Sequence, residues 1–117
     1  MMIKSIKSTS FFLMFTLGLS ANAFSGNAEL GEIYNLHFMS NGVVIVYTRG
    51  IRTNVPPCAL NQPARFAVDG KSAGGKVQLS GLLTAYSLGQ KVRFIGANNC
   101  NAYSDTETAN YIVVNQK

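Results

Sequence analysis

Tryptophan is absent from this chain, histidine occurs once and cysteine twice. Those three side chains are too few for a structural zinc site of the usual four-coordinate Cys/His kind, so no metal is expected. Charge is also scarce: 13% of the 117 residues are charged, with five acidic residues against ten basic ones, while 47% are hydrophobic. A disordered tail needs far less apolar content, a coiled coil far more charge, and a collagen-like chain a strict glycine repeat. Convergent titratable groups are missing too. His37 is the one histidine, and it sits between Leu36 and Phe38 in a β-rich run, where the ordinary role is a partly buried strand residue. There is no phosphate-binding loop and no helix-borne His-Glu pair. Asp105 and Glu107 come nearest to paired carboxylates, and on neighbouring loop positions they read as a solvated turn. The expectation is a compact, non-catalytic domain with no cofactor.

The first residues read as an export signal. Met1 to Ser10 carries Lys4 and Lys7 and no acid, Phe11 to Leu19 is nearly all apolar, and Ala21-Asn22-Ala23 has the small-x-small pattern of a signal-peptidase site. The apolar run is too short to span a bilayer, and its residues are consecutive rather than spaced along one helical face. Residues 1–23 are therefore assigned to the signal and 24–117 to a single domain, exported to the periplasm or secreted, with no membrane span after cleavage. Loss of Lys4 and Lys7 leaves eight basic residues against five acids, a net charge of +3 in place of +5. Part of the apparent basicity belongs to the signal.

A domain of this size buries only roughly 60 to 65% of its unfolded surface, so the core alone is marginal. An oxidising destination then predicts a disulfide between Cys58 and Cys100, since neither has an activating neighbour in sequence. Closing that loop is worth about 4 kcal/mol in the chain-entropy model.

Leu30 to Met39 alternates with period two and reads as strand one. Ser40-Asn41-Gly42 is a hairpin turn signal. Val43 to Thr48 is apolar on both faces and predicts a central, well-covered strand. Gly50 to Gln62, with Pro56 and Pro57, reads as a long irregular loop tethered by Cys58. Ala64 to Asp69 makes a third strand ending at Asp69-Gly70. Leu79, Leu82, Leu83 and Tyr86 then form one helical stripe, with Ser72 as N-cap and Gly89 as the left-handed terminator. Gly74 and Gly75 weaken the first turn. Lys91 to Ile95 and Tyr111 to Asn115 are the last strands, separated by an asparagine-rich loop, Ala97 to Asp105, that holds Cys100.

Five strands with one helix between the third and fourth is the order of an OB-fold, so a mainly β, OB-like five-stranded barrel is expected. With a signal segment and a long-range disulfide, this order resembles the small B subunits of bacterial AB-type toxins, the cholera, pertussis and subtilase cytotoxin binding rings. Leu82-Leu83, Ala85, Gly89-Gln90 and Val92-Arg93 are similar to the helix, Gly-Gln turn and Val-Arg strand of the subtilase-type subunits, over about a fifth of the mature chain. Those subunits have more cysteines, and tryptophans where this chain has Ala97-Asn98-Asn99-Cys100-Asn101. Leu30 to Met39 holds no matching glycan-contact motif, so no contact residue is carried over. The chain equally resembles small exported bacterial proteins of no assigned activity.

The resemblance implies a non-catalytic recognition module for a glycan or protein surface, with assembly into a homo-oligomer. Sugars are held by planar polar groups beside an aromatic face. Asn98, Asn99, Asn101, Tyr103 and Asp105 supply those types within eight residues, although asparagine is also an ordinary turn former. The alternative is an oligonucleotide or other anionic ligand on Arg49, Arg52 and Arg65, near Lys91 and Arg93, with Tyr47 and Phe66 as stacking candidates. A net charge of +3 and an exported destination disfavour nucleic acid. Intact mass of the exported protein checks the first step: the chain should begin at Phe24, and a species retaining Met1 to Ala23 would refute the cleavage site.

Overall fold

A computed structural model describes residues 25–115. Residues 1–24, which include the expected signal segment and its cleavage site, and residues 116–117 lie outside that range. The order is β1 (Asn27–Gly31), β2 (Ile33–Phe38), β3 (Val43–Thr48), β4 (Arg52–Thr53), a 3-10 turn (Pro57–Ala59), β5 (Arg65–Asp69), α1 (Ala73–Ser87), β6 (Val92–Gly96) and β7 (Glu107–Val114). The strands form one sheet in the order β2-β3-β5-β7-β6-β1-β4. All pairs are antiparallel except β5 with β7, where Phe66 lies opposite Glu107.

The expected five-stranded barrel is thus corrected to an open seven-stranded sheet. Two local events raise the number. The predicted first strand divides at Glu32: β1 pairs with β4 and β6, whereas β2 pairs with β3. One bent run of chain therefore contributes near both ends of the order. The bend brings Gly31 against Gly50, and a Cβ on either would run into backbone, so only glycine permits the crossing. The second event is β4, which forms within the segment expected to be an irregular loop: Ala28 pairs with Arg52, and the Glu29 N–H donates to the Ile51 carbonyl at 3.0 Å. Cys58 and Cys100 are disulfide-bonded with Cα atoms 6.2 Å apart, tying the loop after β4 to the loop before β7.

The main core lies between the inner sheet face and α1. Phe66 and Phe94 stack with centroids 4.7 Å apart, surrounded by Val44, Val46, Val68 and Val92. Ser72 caps α1, its hydroxyl accepting from the Gly75 N–H at 2.9 Å. Gly89, at φ +68°, ends it as expected, with the Gln90 N–H donating to the Ala85 carbonyl at 2.9 Å.

The buried stripe differs from the leucine pattern. Leu82 and Ala85 are fully buried and Leu79 packs against the core, but Leu83 and Tyr86 are 38% and 45% exposed. Gly75 explains the rotation: a Cβ there would meet the Asp69 carbonyl, so the first turn is pressed against the end of β5 through Gly75. That contact sets the inward face, and the small Ala85 continues it where the helix lies close to the sheet.

Leu82→Ala should therefore lower stability by about 2 to 5 kcal/mol, and Leu83→Ala by less than about 1 kcal/mol. Denaturant titration of both variants checks the assignment, and equal losses would contradict it.

Candidate functional site

The three arginines expected to serve an anionic ligand have separate fates. Arg52 reaches inward from β4, donating from Nε to the Asn27 carbonyl at 3.0 Å, from one terminal nitrogen to the Pro63 carbonyl and from the other to Glu107. Its guanidinium lies 4.3 Å from the Phe66 ring centroid. Desolvation lowers its pKa, opposed by the charge of and hydrogen bond to Glu107. Glu107 is fully buried, and its Oε2 also accepts from the Gly26 and Asn98 N–H groups, each at 3.0 Å. Far from lying in a solvated turn, Glu107 opens β7 as a buried acceptor. Arg52 and Glu107 form a structural pair, with Glu107 fully buried and Arg52 largely so.

Arg65, on β5, faces the other side of the sheet. Its Nε donates to Thr106 Oγ1 at 2.9 Å, its terminal nitrogens to the Tyr47 hydroxyl at 2.9 Å and to Asp105 at 2.8 Å. For Asp105, desolvation pushes the pKa up, but hydrogen bonds from Thr106 and Arg65 prevail and hold it below the usual carboxylate value. Arg49 is exposed, with its guanidinium 4.2 Å from the centroid of Tyr34.

These contacts outline a face across the outside of β2, β3 and β5. Tyr47 is at its centre, with Tyr34 at 5.7 Å and His37 at 5.0 Å between ring centroids. His37 is exposed, in contrast to the partly buried position expected. Tyr34 joins this face because the β2–β3 register is irregular between Ile33 and Asn35. Strict alternation would send it inward with Leu36, so periodicity alone does not find it. Of the two stacking candidates, Tyr47 lies on this face and Phe66 in the main core.

The asparagine-rich loop divides. Tyr103 and Ala102 pack over Val43, Ile45 and Ala67, a second apolar cluster beside Tyr47. Tyr103 and Asp105 thereby join Arg65 at one edge of the aromatic face. Asn98 adopts φ +63° and gives its N–H to Glu107, while the Asn99 side chain accepts from the Asn101 N–H at 2.9 Å. These three shape the loop. Asn98 and Asn101 are exposed, and Asn99 is half-buried.

Gly70-Lys71-Ser72-Ala73-Gly74 has the Gly-x-Ser-x-Gly spacing of a nucleophile elbow, between a strand and a helix. Ser72, however, has φ −87° and ψ 157°, and its hydroxyl donates to the Asp69 carbonyl while accepting from Gly75. It is a helix cap with ordinary backbone geometry rather than the strained turn that exposes a nucleophile.

Comparison with protein families, curated proteins and solved structures finds no match for this chain.

Removing one member of a buried ion pair strands the other, at a cost of about 3 to 5 kcal/mol. Glu107→Gln should lose about that much in denaturant titration, and Arg52→Met/Glu107→Gln should lose less than the two single variants together. Additive losses would contradict the coupling.

Proposed function

We propose that the mature chain is an exported, non-catalytic recognition module that holds a glycan against the outer face of β2, β3 and β5. The carrying observation is the cluster of Tyr34, Tyr47 and His37, with Arg49 stacked at its edge. A sugar ring presents C–H groups to an aromatic face and hydroxyls to planar polar groups, and both kinds of partner occur together here. Tyr34 is 40% exposed, and its side chain is positioned by an irregular strand pairing rather than by burial.

Other features support the same reading. A disulfide is compatible with an oxidising, exported location. Among the described residues, no helix is long and apolar enough to cross a membrane. The mainly β architecture with one helix, between β5 and β6, and one long-range disulfide is what the reading keeps of the expected OB-like order, now on an open seven-stranded sheet.

An oligonucleotide is the weaker alternative. Arg52 and Arg65 are committed to Glu107 and Asp105, leaving Arg49 as the one of the three arginines with no acidic partner among the described residues.

On a glycan array, Tyr34→Ala and Arg49→Ala should abolish retention while leaving the melting temperature unchanged. Tyr103→Ala should instead lower the melting temperature, because Tyr103 covers the second apolar cluster. No glycan retention by the wild-type protein would reject the reading. Binding to single-stranded DNA that falls steeply with salt would favour the alternative.

A further inference from the structure

β2 ends the sheet on one side. The Met39 N–H donates to the Val43 carbonyl at 2.8 Å, and His37 lies opposite Ile45 in the same register. Backbone direction alternates along an antiparallel strand, so Asn35, His37 and Met39 turn their N–H and C=O groups towards β3 while Leu36 and Phe38 turn theirs away. Among the described residues no strand pairs with that outer edge. The start of the strand is tied into the core, where Ile33 is buried. The exposed part begins beyond it.

Natural sheets blunt their edges with Lys, Pro, bulges or very short strands. The other end of this sheet follows that rule: β4 has two residues, and its Arg52 is turned inward. β2 has six, Ile33-Tyr34-Asn35-Leu36-His37-Phe38, without Lys, Arg, Asp, Glu or Pro, and Phe38 is 63% exposed. Its one irregularity, at Tyr34, lies before the regular stretch.

We infer that this edge pairs with β2 of a second copy of the chain, antiparallel about a two-fold axis. Self-pairing follows from the strand's own pattern. In the register centred on His37, Leu36 and Phe38 of each copy exchange their outward backbone bonds with the partner's Phe38 and Leu36. The irregularity at Tyr34 ends the ladder on either side. His37 lies opposite the partner's His37 in a non-hydrogen-bonded pair, where Cα atoms approach to about 4.5 Å. No pair of like-charged Lys, Arg, Asp or Glu side chains stands opposite in this register. The twofold also aligns the two outer faces, so the aromatic clusters of both copies form one continuous surface. The inference is independent of what that surface binds.

Sedimentation equilibrium of the mature, disulfide-bonded protein should give twice the monomer mass, with a melting temperature that rises with concentration. Phe38→Pro removes an outward N–H while sparing the bonds to β3, and Phe38→Lys adds an edge charge. Both should be monomeric, with concentration-independent melting. Mild oxidation of His37→Cys should yield a covalent dimer that retains the Cys58–Cys100 bridge, whereas Lys76→Cys, on exposed α1 surface, should not. A wild-type monomer at every concentration, an assembly larger than two, or a dimer that persists in both Phe38 variants would overturn the inference. Absence of the His37→Cys cross-link would overturn the register.

Discussion

The buried pair of Arg52 and Glu107 is the constraint on which the rest of the structure depends. Glu107 stands where β7 begins its parallel pairing with β5, and its carboxylate gathers the chain near Gly26, the β4 guanidinium and the turn at Asn98. Three segments distant in sequence are thus fixed by one side chain. A buried carboxylate is tolerated only when its charge and lone pairs are matched, and here a guanidinium and two backbone N–H groups do so. The surrounding glycines follow from the same demand: a Cβ on Gly26 or Gly96 would collide with Glu107. Charge, hydrogen bonding and steric space meet at one point.

From that point the two faces of the sheet acquire different roles. Inward, Arg52 lies over Phe66, which stacks on Phe94, so the ion pair is continuous with the apolar core. Outward, the loop that Glu107 anchors through Asn98 carries Cys100, Ala102, Tyr103 and Asp105 across β3 and β5. The disulfide restrains the other side of this loop against the 3-10 turn at Pro57–Ala59. Held at both places, the loop can cover Val43, Ile45 and Ala67 without closing over Tyr34, Tyr47 and His37. An aromatic face remains open because its neighbour is pinned.

Signals confined to a few residues are legible in the sequence. The β-branched run of β3, the Ser72 cap and the Gly89 terminator follow from short-range sterics and hydrogen bonding, and the Cys58–Cys100 bridge from the expected compartment. Features set by distant contacts are not. Asp105 and Glu107, two positions apart, look alike as loop carboxylates, yet one pairs with Arg65 at the surface and the other is sealed against Arg52. No local pattern separates them, because the difference lies in which strand each meets. The helix face departs in part from its sequence pattern for a related reason: Leu79 and Leu82 of the expected stripe do face the core, but close approach at Gly75 brings Ala85 inward and leaves Leu83 and Tyr86 exposed. Among the candidate site residues, Tyr103, Asp105, Arg49 and Arg65 do converge on one side of the sheet, although residue type alone divides them between rival sites. Tyr34 escapes a sequence reading because an irregular register, invisible to periodicity, sets its placement, whereas His37 lies in the regular stretch beyond it and differs from expectation only in being exposed rather than partly buried.

The unequal ends of the sheet connect this architecture to the proposed recognition. Burial of Arg52 leaves β4 short and committed to internal bonding, so that end offers little backbone to a partner. β2 carries no comparable anchor: its side chains divide between the core, through Ile33 and Leu36, and the aromatic face, through Tyr34 and His37. Aromatic and amide side chains on an outward face are useful for ligand contact, but they supply none of the charge that discourages edge pairing. A β2 sequence suited to a neutral, stacking surface is therefore also a strand with an unprotected edge. The proposed recognition through the face and the proposed association through the edge would both draw on the same six residues, so a substitution that charges the edge also alters the surroundings of the face.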